Sequence, residues 1–188
     1  MPLLRFLKRG IRMKLREVAS EAEWKFLEAH YKEAFPESER KPFEMIREKH
    51  CQKQTDVWVL EEEGEFSGFA ITMNGADLVL LDYFAICKEK RGGGLGSAGL
   101  CALRKMYRGK RFFLEVESLA VPADNMAERR RRKQFYLRNG MTELGVNAKL
   151  FGVEFELLGF DCEVSFRDYF SLYESIYGEY ACRFLEEL

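Results

Sequence analysis

The stretch YFAICKEKRGGGLGSAGLCAL, residues 83–103, constrains this chain more than any other. It reads as a strand, a glycine-rich loop and a helix. Four glycines fall within residues 92–97, directly behind Arg91. Glycine turns the backbone through positive φ and lets a ligand approach without a Cβ in the way. Successive amides in such a loop, at the start of a helix, form an anion-binding nest. The loop therefore predicts a phosphate site at a strand–helix junction, and with it an α/β domain.

Two fingerprints share the loop. Gly94, Gly96 and Gly99 spell G-x-G-x-x-G, and Glu115 lies near the end of a later strand. That pattern fits a NAD(P)-binding oxidoreductase. Its setting does not. Cys87 to Gly93 separate the strand from the first glycine of the pattern, where a tight turn is needed. Too little chain follows for a second nucleotide-binding half. A Walker A loop fails at once, because Leu100 and Cys101 follow Gly99 where Lys and Ser/Thr are required. The second fingerprint is Gln/Arg-x-x-Gly-x-Gly/Ala, carried by Arg91, Gly94 and Gly96.

The rest of the chain supplies the elements of one mixed sheet. Residues 13–19 read as a strand. Residues 20–35 form a helix opened by a Ser20/Glu23 capping box, and 43–53 a second, shorter helix. Residues 56–86 read as three strands, with turns near Gly64 and at Asn74-Gly75, the latter a strong hairpin signal. A helix over 97–107 and a strand over 111–119 follow. Next comes a helix over 123–140, with Asp124 or Asn125 as N-cap and Gly140 at its stop. Two strands over 141–164 and a helix over 165–188 complete the order. We expect a basic extension over 1–12, one domain over 13–164 and a C-terminal helical segment, 165–188, packed on it.

Composition excludes several classes. The formal net charge is −1, so nothing draws the chain as a whole to nucleic acid or membrane. No apolar run reaches the length of a membrane span. The first twelve residues carry Arg5, Lys8, Arg9 and Arg12 but neither the apolar core nor the cleavage site of a signal peptide. Five cysteines lack any C-x-x-C spacing, and only two histidines are present; these read as reduced thiols in a cytoplasmic protein with no metal site.

FYLRNGM, residues 135–141, adds a second motif: a tyrosine, three residues, then glycine, with Met141 in place of an aromatic. With the glycine loop, and with AFPESERKPF (34–43) as an acceptor-side loop, the chain resembles the GNAT-superfamily N-acetyltransferases, in particular a subgroup of small bacterial members. The resemblance implies a mixed, mostly antiparallel sheet of about seven strands. It would be splayed between the fourth and fifth, with helices on both faces. It implies acetyl-CoA as acyl donor. The pyrophosphate would sit on Arg91, Gly92, Gly93, Gly94, Leu95, Gly96 and Ser97, and pantetheine along Phe84, Ala85 and Ile86. Asn125 matches the helix-opening asparagine of relatives, though it stands eleven residues before Tyr136, one turn more than usual. Tyr136 matches the general acid. The reaction implied is direct attack by a primary amine through a tetrahedral intermediate.

The residues themselves suggest the remaining roles. An amine of pKa about 10.4 is almost wholly protonated at pH 7, so a base is needed. Glu115 and Glu117 lie two apart on one strand and face one side; Glu117 is nearer the strand's C-terminal end. Leu80 stands where some relatives place a base, with Asp82 nearby. Tyr136, at an ordinary pKa of about 10, is a donor to the departing thiolate rather than a strong acid. The run RRRRK (129–133) sweeps the whole helix circumference, so some of it must turn inward. Arg129 and Arg132 share a face with Tyr136 and would meet CoA phosphates or a buried acid. The acceptor is an amine of a small molecule or peptide, and the chain a monomer or homodimer. The alternatives are the oxidoreductase and a non-catalytic CoA-binding or interaction domain.

Overall fold

A computed structural model describes residues 11–188. Residues 1–10, most of the basic extension, lie outside the described residues. The strands are β1 Met13–Glu17, β2 Thr55–Glu62, β3 Glu65–Asn74, β4 Leu78–Ile86, β5 Arg111–Glu117, β6 Thr142–Leu150, β7 Val153–Gly159 and β8 Leu185–Glu187. The helices are α1 Glu21–Ala34, α2 Phe43–Cys51, α3 Leu95–Met106, α4 Met126–Arg138 and α5 Phe166–Cys182. The strand order is β1-β2-β3-β4-β5-β7-β6-β8. The sheet is mostly antiparallel, with β4–β5 as its parallel pair. That ladder runs from Leu78↔Arg111 to Leu81↔Leu114.

The chain divides into two compact units, Met1–Thr72 with Asp82–Met106, and Met73–Leu81 with Tyr107–Leu188. In the first, Leu27 and Tyr31 of α1 pack with Phe43 and Ile46 of α2 on Val57, Val59, Phe69 and Ile71. Ser20 caps α1, its Oγ accepting from the Glu23 amide at 3.3 Å, as the capping pattern predicts. Gly99 brings α3 down on the sheet: a Cβ there would stand 2.6 Å from Leu60 Cδ2. In the second unit, Leu172, Tyr173 and Ile176 of α5 pack on Leu80, Phe113 and Leu157. A full capping box, Ser165 with Asp168, starts α5.

Four local expectations need correction. The tight turn with two positive φ values is at Glu63-Gly64. At Asn74-Gly75 neither residue has positive φ; the hairpin closes through a longer loop in which the Gly75 amide donates to Leu78 O at 2.9 Å. The fourth helix starts at Met126 rather than 123, and Asn125 caps it without a side-chain bond to its amides. The C-terminal segment is not helical throughout. Gly178, at φ +70°, kinks α5, which ends at Cys182. The chain then pairs with β6 as an eighth strand, Ala148↔Glu187 to Leu150↔Leu185. Buried Leu185, 5 % exposed, anchors that return.

Candidate active site

The first unit carries the loop. Cys87 leaves β4 with its amide on Ser67 O, and a short 3-10 turn over Lys88–Lys90 follows. Arg91 reaches back, its Nε donating to Ile86 O at 2.9 Å. This fixes the spacing between strand and glycines. Gly92 and Gly94 take φ of +87° and +95°, which favour glycine. A Cβ on Gly92 or Gly93 would meet nothing within 4 Å. Leu95 opens α3 and is buried. The first amide of this region with a backbone partner is that of Ala98, which donates to Gly94 O at 3.0 Å. Among the described residues, the amides of Gly92 through Ser97 have no hydrogen-bond acceptor. Six donors are thus gathered where the helix dipole also favours an anion.

Two further features belong to this unit. A cavity of about 270 Å³ is lined by His30, Glu33, Phe66, Phe69, Cys87 and Arg91, among others, and by none of the residues 92–97. The loop over residues 39–41 is pinned to β4. Tyr83 Oη donates to Glu39 O and accepts from the Lys41 amide, both at 3.0 Å. Tyr31 Oη donates to Lys41 O at 3.1 Å. Lys41 Nζ contacts both oxygens of Asp82 at 2.6 and 2.7 Å. Burial pushes the Tyr31 phenol up to about 12 and Tyr83 further still, so both remain donors at neutral pH. Asp82 is therefore the loop's counter-ion. Leu80 lies in the core, fully buried.

The second unit holds the charged residues. Glu117 is 7 % exposed and lies between two guanidinium groups. Arg129 Nη2 reaches its Oε1 and Arg132 Nη1 its Oε2, each at 2.8 Å. Arg129 Nε also donates to Asn125 Oδ1 at 2.7 Å, and its Nη1 to Ser118 O. Lys133 bridges Glu143 and Glu156. Three members of the RRRRK run thus turn inward onto acids, while Arg130 and Arg131 are exposed. Of the two destinations predicted for Arg129 and Arg132, the geometry displays the buried acid.

Glu115 has different company. Its Oε1 accepts from Tyr169 Oη and from Tyr173 Oη, both at 2.7 Å. Sequence reading leaves these tyrosines in the C-terminal helical segment with no site role; as donors they are indistinguishable by spacing from core aromatics. Tyr31, Tyr83 and the Lys41–Asp82 pair were equally hidden.

Tyr136 is 8 % exposed, its ring edge-on to Phe135 at 5.2 Å. Burial pushes its phenol up to about 12, with the Arg132 charge pulling the other way. Among the described residues, its hydroxyl has no hydrogen-bond partner. The phenol oxygen itself is not a buried unsatisfied atom, so water or a ligand can reach it. No group of three or more His, Cys, Asp or Glu among the described residues is arranged to hold a metal. No helix among them is long and apolar enough to cross a membrane.

Residues 23–132 match the model of the Acetyltransferase (GNAT) family, and the chain belongs to that family. Tyr136, α5 and β6 to β8 lie beyond the matched residues. No protein of curated function matches the chain in sequence. Among solved structures, the chain is similar to one from Bacteroides thetaiotaomicron described as a GNAT-family acetyltransferase. Identity is 23 % over 89 % of this chain and 99 % of that one, with a TM-score of 0.74. It is also similar to the ribosomal-protein-S18-alanine N-acetyltransferase of Escherichia coli, at 17 % identity over 82 % and 96 %, TM-score 0.59. A third, a Bacillus subtilis acetyltransferase in complex with CoA, gives 12 % identity over 81 % and 99 %, TM-score 0.56. At these identities the likeness is one of fold. A sheet with one parallel pair is not the parallel sheet that the oxidoreductase reading needs.

Proposed function

We propose that the protein is an N-acetyltransferase that takes an acetyl group from acetyl-CoA to a primary amine. The observation that carries this is the run of six amides, Gly92 to Ser97, that have no acceptor among the described residues, behind Arg91. They fit the pyrophosphate of CoA, because two glycines leave open space above the loop and the helix end supplies positive charge. Phe84, Ala85 and Ile86 are the residues that would meet pantetheine, in the manner of an added strand. CoA-bound relatives of this fold support that choice of donor.

The thioester supplies an activated carbonyl; the chain's residues handle protons. Glu115 takes the proton of the incoming amine, directly or through water. We assign this role to Glu115 rather than Glu117. Both oxygens of Glu117 already accept from arginines, so a proton there would break a buried ion pair. Glu117 with Arg129, Arg132 and Asn125 instead braces the end of β5 against α4. Tyr136 donates to the departing sulfur. Complete transfer from a phenol at about 12 to a thiolate at about 8.5 is uphill by roughly 5 kcal/mol. Hydrogen bonding therefore comes first, and proton loss late. Glu37 and Glu39 would favour a cationic amine, though Arg40 and Lys41 beside them offset that preference.

Ligand-dependent thermal unfolding tests this reading. Acetyl-CoA or CoA at about 100 times Kd stabilises by roughly 2.7 kcal/mol, about 5–10 °C for a chain of this size. NAD should leave the midpoint unmoved. Stabilisation by NAD and not by CoA would overturn the proposal.

A further inference from the structure

We propose that Tyr169 and Tyr173 are positioning residues for the reaction, holding Glu115 as an oriented carboxylate; this rests on the reading that Glu115 is the base. The two residues stand four apart on α5 and so project from one face. Both phenols converge on the same oxygen, Oε1, at 2.7 Å. Their side chains are 0 % and 1 % exposed, so water does not compete for them. The rings fix one another edge to face at 5.2 Å, and Tyr169 leans on Phe113, two residues before Glu115. The helix is fastened to the same strand at its own start. Asp168 pairs with Arg111, the first residue of β5, at 3.0 Å, and is itself fixed by the Ser165 capping box. β5 and α5 are thus joined at two points, and the second point is the candidate base.

Two phenol donors select the anion, since they bond the charged carboxylate more strongly than the neutral acid. They also fix the rotamer, leaving proton acceptance to a defined direction. Ionisable groups near Glu115 along the chain include Glu117, two residues on in β5, which is itself paired with Arg129 and Arg132. Its neighbour on β7 is apolar Leu157. α5 lies outside the residues that match the family model.

The test uses the full chain as wild type, Tyr169→Phe, Tyr173→Phe and Glu115→Gln. Each Phe keeps the ring and removes only the donor. The Glu115 carboxyl is followed by carbon-13 NMR titration, assigned by its loss in Glu115→Gln, and needs no acceptor. In parallel, thiol release from acetyl-CoA is measured against pH with a short peptide bearing a free α-amine as probe. Each Phe change should raise the Glu115 titration midpoint by about one pH unit. The acidic limb of kcat/KM should move up with it, and the plateau should fall about three- to tenfold as the carboxylate loosens. Glu115→Gln should lower kcat/KM by about 10²–10³ and abolish that limb. If Glu115→Gln slows transfer but both Phe variants titrate like wild type, the positioning role is overturned and the base stands. If Glu115→Gln leaves rate and limb unchanged, the base reading falls, and the positioning role with it.

Discussion

The glycine loop and the end of β5 concentrate most of the residues assigned to the site, and they are made in opposite ways. The loop is backbone: six amides with no acceptor, two glycines at positive φ, and one arginine turned back to hold the spacing. The end of β5 is side chain: two carboxylates, two guanidinium groups and two phenols, each satisfied by another. A loop whose amides face solvent stands open to a ligand. A cluster already satisfied is stable without one, and can hold a reactive group at a fixed angle. The first kind of site is cheap to build and easy to read; the second depends on elements far apart in the chain.

Substitutions can break this contrast, and the largest stability effect belongs to the satisfied cluster. Arg129→Met removes the more buried partner of Glu117 and leaves that carboxylate with the half-exposed Arg132 alone. It should cost about 3 kcal/mol in urea unfolding, against about 1 for the half-exposed Arg132→Met. Equal losses would mean that the two arginines do not differ as their burial implies. Next is Gly94→Ala, at φ +95° with a Cβ 3.3 Å from Ile11 Cδ1. We expect about 1–2 kcal/mol of destabilisation and a smaller thermal shift with acetyl-CoA. Tyr136→Phe should leave stability within about 0.5 kcal/mol, because no protein partner is lost, while slowing thiol release about tenfold or more. A marked drop in stability would show that the phenol has a structural partner after all.

The smallest effect is one of pH. Arg111, with the Ser165 cap, holds the Asp168 carboxyl well below the usual carboxylate range. A depressed group contributes stability above its unfolded pKa of about 3.9, and that contribution drains away as pH falls toward its folded value. Arg111→Gln should therefore be slightly less stable than wild type at pH 5, with the gap narrowing below about pH 4. A urea series across that range reads it; a gap that widens with acid would contradict the assignment.

The same contrast explains what the sequence disclosed. Glycine spacing encodes backbone conformation directly, so the loop, the strand before it and the helix after it were all legible. So was an inward turn by Arg129 or Arg132, because a run of five must sweep the helix; that Lys133 also turns inward was not. Glu115 and Glu117 were legible as a pair on one face but not as individuals. What separates them is α4 over one and α5 over the other, more than fifty residues on in the case of Tyr169 and Tyr173. The eighth strand was missed because SFRDYFSLYESIYGEYACRFLEEL keeps helical spacing through most of its length; only Gly178 marks the break. Tyr31 and Tyr83 lie in the core, but their hydroxyls hold a loop.

That loop has a kinetic consequence. With the backbone of residues 39–41 tied by two phenols and an ion pair, the segment loses little freedom when a partner arrives. On the proposed reading of this loop as the acceptor's, recognition would be a matter of fit to a ready surface, with side chains such as Glu37 and Glu39 doing the adjusting. Association would then need no slow rearrangement of the main chain, and poor acceptors would be turned away by fast departure rather than by slow entry.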